Sequence, residues 1–249
     1  MRAHHIEIPG LDKEAKAAVL AQQEQSTPEY MHTKPEGKLA EILSNFNFQV
    51  LEDIFKQQAQ KSGVNVENFS ILGPDRIFSL QWGSPGFAYE RDRINLLPYE
   101  KVYHFAPDFV ELEKKQGYEG TDWRKFAKIW TLKILVHEEG HAAGRVFADG
   151  FGKNYSRQEA GYHVDVPDSA GKPKDTFLGF NEGVTDKISD ELLTEYARRT
   201  GEISASDLKW FYELTQKLEQ DGFPYGYLKN INLVDTVTAR LADKNGLST

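Results

Sequence analysis

The chain of 249 residues contains no cysteine. That absence removes a disulfide framework, a thiolate nucleophile, an iron–sulfur cluster and any cysteine-ligated zinc. A transition metal, if bound, has to be held by histidines and carboxylates. Long apolar runs are missing as well: no stretch approaches the roughly 18 residues needed to cross a bilayer. The opening MRAHHIEIPGLDKEAKAAVL has no apolar segment of signal-peptide length and no small-residue cleavage pattern. These features predict a soluble, cytoplasmic protein with no membrane partner. Positive charge is in short supply, with 30 Lys and Arg against 38 Asp and Glu and a net charge of −8. A duplex-binding protein needs a basic face, so no nucleic-acid partner is expected. The charged runs KDTF and EKKQ read as solvated surface. What the chain does have is 39% hydrophobic and 12% aromatic residues, enough to bury a core and to exclude wholesale disorder.

Residues 1–35 are polar, with prolines at 9, 28 and 35, and read as an N-terminal arm carrying a short helix near Leu11–Gln23. Residues 36–249 read as one domain. Its N-terminal subdomain, 36–149, begins with an amphipathic helix from Gly37 to about Ser62, marked by Leu39, Ile42, Leu43, Phe46, Val50, Leu51 and Ile54. The β-prone runs Phe69–Leu72, Arg76–Trp82, Phe87–Tyr89 and Arg93–Leu97 follow, separated by turn residues. They predict a small, mostly antiparallel sheet. A long helix from near Thr121, with Thr or Asp as its N-cap, closes this subdomain. Residues 150–179 are too polar for core and read as a long loop or a small β-flap opening the C-terminal subdomain, 150–249. Helices are expected there at Asn181–Arg199, at Ser204–Gln220 and near Leu233–Ala242. The fold class expected is α+β.

The chemistry concentrates in the long helix, at His137-Glu138-Glu139-Gly140-His141. Helical positions four apart differ by only about 40° around the axis, so both imidazoles leave one face and can grip one divalent ion. Glu138 lies about 100° further round, placed to meet a water at the metal, whereas Glu139 points away at about 200°. With 7 histidines in the chain, an H-E-x-x-H arises by chance with a probability of about 0.02. The motif therefore needs a second constellation. Two histidines that merely satisfy polar groups on a half-buried helix are the competing account.

That second constellation is Phe180-Asn181-Glu182-Gly183-Val184-Thr185-Asp186. Zinc held by two histidines takes a third protein ligand and keeps an open position. Glu182 offers the oxygen, and Asp186, one turn on, can accept the second ring N–H of a ligating histidine. Taken alone, the segment is better read as capping at a helix N-terminus; coupled to HEEGH, it reads as a ligand segment. The small residues Ala142, Ala143 and Gly144 suit a close approach of the Glu182 helix.

HEEGH followed by N-E-x-x-T-D resembles the gluzincin clan of zinc metallopeptidases, whose best-known members are thermolysin-like. The similarity covers roughly residues 123–199 and is specific only at those two motifs. It implies a zincin-like fold with a small sheet packed on the HExxH helix. It further implies one Zn2+ per chain on His137, His141 and Glu182, Glu138 as general base and Asp186 beside a ligand histidine. The implied activity is a peptidase acting on peptide or protein substrates through a water activated at the metal. The spacing between motifs exceeds that of thermolysin-like enzymes, so no family within the clan is assigned. The resemblance also implies a downstream His, Tyr or Arg that stabilises the oxyanion. No histidine follows Glu182, so Tyr225 and Tyr227 are the better candidates, with Tyr196 less so because it is on the ligand helix and His163 either a rival donor or simply exposed. His104 and the His4-His5 pair read as bystanders. The resemblance also suggests Arg93–Leu97 as a strand that adds an extended peptide to a sheet edge. Two alternatives stay open: a catalytically silent zinc-binding module acting through protein partners, and a latent enzyme whose cleft is covered by 1–35 or 150–179.

Overall fold

The computed structural model of the chain describes residues 6–7, 32–61, 63, 66–67, 69–80, 86–88, 93–99, 114, 117–143, 146–149, 157–160, 163–167, 173–176, 178–222 and 228–244. Within them the fold is mixed α+β. The helices are α1 (Gly37–Asn45), α2 (Phe48–Lys61), α3 (Trp123–Ala143), α4 (Leu178–Thr200), α5 (Ala205–Gln220) and α6 (Leu228–Lys244).

One four-stranded sheet has the order β2 (His32–Thr33), β3 (Ile77–Leu80), β5 (Arg93–Leu96), β4 (Gly86–Ala88). Its β2–β3 and β4–β5 pairings are antiparallel and its β3–β5 pairing is parallel. A five-stranded sheet has the order β1 (Ile6–Glu7), β6 (Val146–Asp149), β7 (Arg157–Ala160), β8 (His163–Pro167), β9 (Pro173–Thr176). Within the polar connection 150–179, the described residues 157–160, 163–167 and 173–176 are strand. Residues 6–7 and 32–33 of the N-terminal segment pair with β6 and β3 respectively. The helix expected at Leu11–Gln23 lies outside the described residues.

The helix expected from Gly37 to Ser62 is two helices. Asn47 breaks it because its side-chain Oδ1 accepts the Val50 N–H at 3.1 Å and so starts α2 afresh. Its own N–H donates to the Tyr196 hydroxyl at 2.8 Å. Phe69–Leu72, expected as a strand, is irregular and buries Ile71 and Leu72 against the core. The Asp122 carboxylate starts α3 by accepting the Lys125 N–H at 3.0 Å. Ser204 does the same for α5 with the Asp207 N–H. At the end of α4, Gly201 takes a φ of +68°, which an L side chain rarely adopts.

α3 lies at the centre. It packs on β4 and β5 on one side and on α4 and α5 on the other. Trp123, Phe126, Ile129, Leu132, Leu135 and Val136 are all buried, which leaves the helix apolar on most of its circumference. Each large side chain so placed contributes about 1.5–3 kcal/mol relative to exposure. The polar groups on such a helix have no water to face and must find partners inside the fold.

β5 is an interior strand, flanked by β3 and β4. β3 pairs with its residues 94–96 and β4 with 93–95, so β5 is no free sheet edge for an added peptide of the kind the sequence suggested.

Candidate metal centre

Three buried polar residues repeat at four-residue intervals along α3: Lys133, His137 and His141. On α4 three acids do the same: Glu182, Asp186 and Asp190. The helices run antiparallel, because Lys133 meets Asp190 while His141 meets Glu182. Two ladders of side chains therefore face each other across one helix–helix contact. The contact is close at Gly140, where an added Cβ would lie 3.0 Å from the Thr185 methyl. The intimate approach thus falls within the HEEGH segment itself, ahead of the small residues expected to provide it.

At one end of the ladders, the His137 and His141 Nε2 atoms are 3.1 Å apart. Glu182 gives one oxygen to each ring, Oε2 at 3.1 Å from His137 Nε2 and Oε1 at 3.4 Å from His141 Nε2. His137, His141 and Glu182 each present a ligand-type atom, all within 4.8 Å of one another. The Asn181 amide nitrogen lies 3.4 Å from His141 Nδ1. Asp186 Oδ1 stands 3.4 Å from His137 Nδ1. The structure thus brings His137, His141, Glu182 and Asp186 together. Glu138 is buried beside them, close enough for its charge to act on His137.

The charges are strongly coupled. Burial disfavours a charged His137, but its hydrogen bonds to the Asp186 and Glu182 carboxylates outweigh it and push the pKa up to about 9. Burial likewise opposes ionisation of Glu182, yet its hydrogen bonds to His137 and His141 hold it far below the usual carboxylate range. Asp186 is depressed despite burial by His137 and Lys133. Asp190 is raised by burial and by the neighbouring Asp186, against the pull of Lys133.

Glu139 takes the opposite side of the helix. It is fully buried, and its Oε2 accepts the Leu72 N–H at 2.9 Å. Of the two adjacent glutamates, this one ties α3 to the segment before β3.

Of the expected oxyanion donors, Tyr225 and Tyr227 lie outside the described residues, as do His4, His5 and His104. His163 is placed by its backbone in β8, opposite Ala160. Tyr196 is in the core: its hydroxyl donates to Glu202 at 2.7 Å and its ring stacks on Phe46 at 4.5 Å. It sits about 21 Å along α4 from Glu182 by helical rise, too far to serve the site.

Lys133 and Asp190 are the members that sequence reading missed. Their signal was available as the same four-residue spacing that singled out the histidines, extended one turn before His137 and one turn after Asp186. No family model, no curated protein and no solved structure matches this chain.

Proposed function

We propose that the chain is a zinc-dependent peptidase of the gluzincin type, with a zincin-like arrangement of sheet and helix around its metal. The observation that carries this reading is the convergence of Glu182, across 40 residues of intervening chain, on the Nε2 pair of His137 and His141. The fit to zinc can be tested on distances. Tetrahedral ligands at about 2.0–2.1 Å from a zinc ion are about 3.3 Å from each other. The ring nitrogens and carboxylate oxygens here are 3.1–3.4 Å apart. Two neutral imidazoles and one carboxylate are also the donor set of many catalytic zinc sites. Packing of β4 and β5 on α3 supports the zincin-like arrangement.

Zinc in this cage would polarise a scissile carbonyl and make water a better nucleophile at neutral pH. Glu138, buried beside the cage, would accept the proton of the attacking water and pass it to the leaving amine. Asp186 keeps the His137 ring turned so that Nε2 faces the cage. Glu139 has no part in the reaction, because its carboxylate is committed to Leu72.

Elemental analysis beside a peptidase assay tests the proposal. Wild type should carry about one zinc per chain, and Glu182→Ala should lose it. Glu138→Gln should keep zinc while peptide hydrolysis falls by about 10²–10⁴-fold. Zinc held equally by wild type and Glu182→Ala would overturn the ligand set. Zinc bound by an intact wild type that hydrolyses no peptide would favour the silent module instead.

A further inference from the structure

The metal site so read accounts for His137, His141 and Glu182, and it leaves a buried lysine without a role. Lys133 is 6% exposed and sits one turn before His137 on the same face of α3. A lysine is almost never fully buried unless paired. Its Nζ lies 3.2 and 3.3 Å from the two oxygens of Asp186 and 3.0 Å from Oδ1 of Asp190. Asp186 is the residue whose Oδ1 faces His137 Nδ1. One carboxylate oxygen is therefore shared by the ammonium and the imidazole. Among the described residues, the side-chain partners of the Asp186 carboxylate are His137 and Lys133.

Resting on the zinc reading above, we propose that Lys133 is a positioning residue of the metal centre: it grips both oxygens of Asp186 and thereby fixes the orientation of the His137 ring, while Asp190 holds Lys133 in place. The geometry gives the reason. A carboxylate held at one oxygen alone can swing about its Cβ–Cγ bond, because that torsion is broad and soft. An ammonium bonded to both oxygens removes the swing. Asp190 supplies the second carboxylate, so the ammonium is drawn along α4 and its donors are shared between two successive turns. Tyr212 closes the far end: its hydroxyl is 3.4 Å from the Asp190 carbonyl oxygen and its ring centroid 5.9 Å from the ammonium. The chain of contacts runs from α5 through α4 to the metal-facing side of α3.

A buried ion pair can be a packing feature with no bearing on the metal, so the test has to separate the two roles. Replacing Lys133 alone would leave two carboxylates buried and uncompensated. The double change Lys133→Met with Asp190→Asn removes the pair and keeps the net charge of the cluster. Zinc affinity, read by competition with a chromogenic chelator, is compared for this variant in the wild-type background and in an Asp186→Asn background. If Lys133 acts through Asp186, the pair variant weakens zinc about tenfold in the wild type, at the low end of the effect of groups that orient ligands. The same change has no further effect once Asp186 is Asn. Equal losses in both backgrounds, or none in the first, overturn the proposal.

A second readout needs no metal. Long-range nitrogen–proton NMR on histidine-labelled, metal-free protein reports the proton at His137 Nδ1 directly. That signal should be present in wild type and in Lys133→Arg, and exchange-broadened or lost in the pair variant. Its persistence in the pair variant would refute the positioning role. If the wild type takes up no zinc, the zinc reading fails and this spectrum alone decides the role of Lys133. If zinc binds with the expected non-additivity but no peptide is cleaved, the peptidase reading fails and the positioning role stands.

Discussion

Gly140→Ala puts the helix contact itself under test. A helix interior ordinarily gains about 1 kcal/mol when Gly becomes Ala. Here the new Cβ would stand 3.0 Å from the Thr185 methyl, whereas carbon atoms rest at about 3.5–4.0 Å. α3 and α4 must therefore separate by about 0.5 Å at that level or repack. Overpacking of this kind costs about 1–3 kcal/mol, which the propensity gain partly offsets. The net loss of stability is then about 0–2 kcal/mol, or a few degrees in Tm. The metal centre is far less tolerant. Gly140 adjoins His141, Thr185 adjoins Asp186, and a functional constellation loses its competence when displaced by about 0.5 Å. Zinc affinity should fall at least about tenfold while the fold survives, measured by chelator competition beside thermal melting. Thr185→Ser deletes the methyl in conflict, so Gly140→Ala with Thr185→Ser should recover most of the affinity. Wild-type zinc binding by Gly140→Ala, or a double variant no better than the single, would refute the idea that this contact sets the ligand geometry.

Glu139→Ala should lower stability by about 1–3 kcal/mol, since the Leu72 N–H is left buried without its acceptor. Zinc stoichiometry should not change, and a melt with metal analysis checks both; loss of zinc would show that the wrong glutamate was excluded. Without metal, His137 is held at about 9, above its ordinary 6.5, so the cation stabilises the metal-free fold fully below pH 6.5 and this contribution fades as pH rises through 9. Zinc binding at pH 7 must expel that proton, so affinity should climb from pH 7 to about 9. Calorimetry in buffers of different ionisation enthalpy should detect close to one released proton, and none would argue against His137 as a ligand. Removing zinc with a chelator should lower Tm reversibly, by an amount equivalent to about 2.7 kcal/mol when free zinc stands at 100 times Kd. A Tm indifferent to chelator and to added zinc would contradict a folded metal site.

Much of the local structure was legible along the chain because its causes are local. Asp122 and Ser204 mark helix starts by capping, and Gly201 marks an end by its positive φ. Asn47 carried the same kind of signal, yet the run of apolar residues on either side of it masked the break between α1 and α2. Phe69–Leu72 has strand composition but is drawn into irregular packing, where Leu72 gives its N–H to Glu139 instead of a neighbouring strand. The interior position of β5 was illegible, because sheet order depends on which distant strands pair, and β3 with β4 sit on either side of it.

By itself the sequence determined that His137 and His141 share one face of a helix, that Glu138 and Glu139 diverge, and that Glu182 and Asp186 share a face of another helix. All of this follows from the 3.6-residue turn, which sets angles between near neighbours whatever the rest of the chain does. Only the tertiary structure decided that the two faces meet. The approach of α3 to α4 at Gly140 and Thr185 brings Glu182 onto the imidazoles and Lys133 between two aspartates. Distances between elements are set by side-chain packing across the contact, and no spacing along a single segment encodes them.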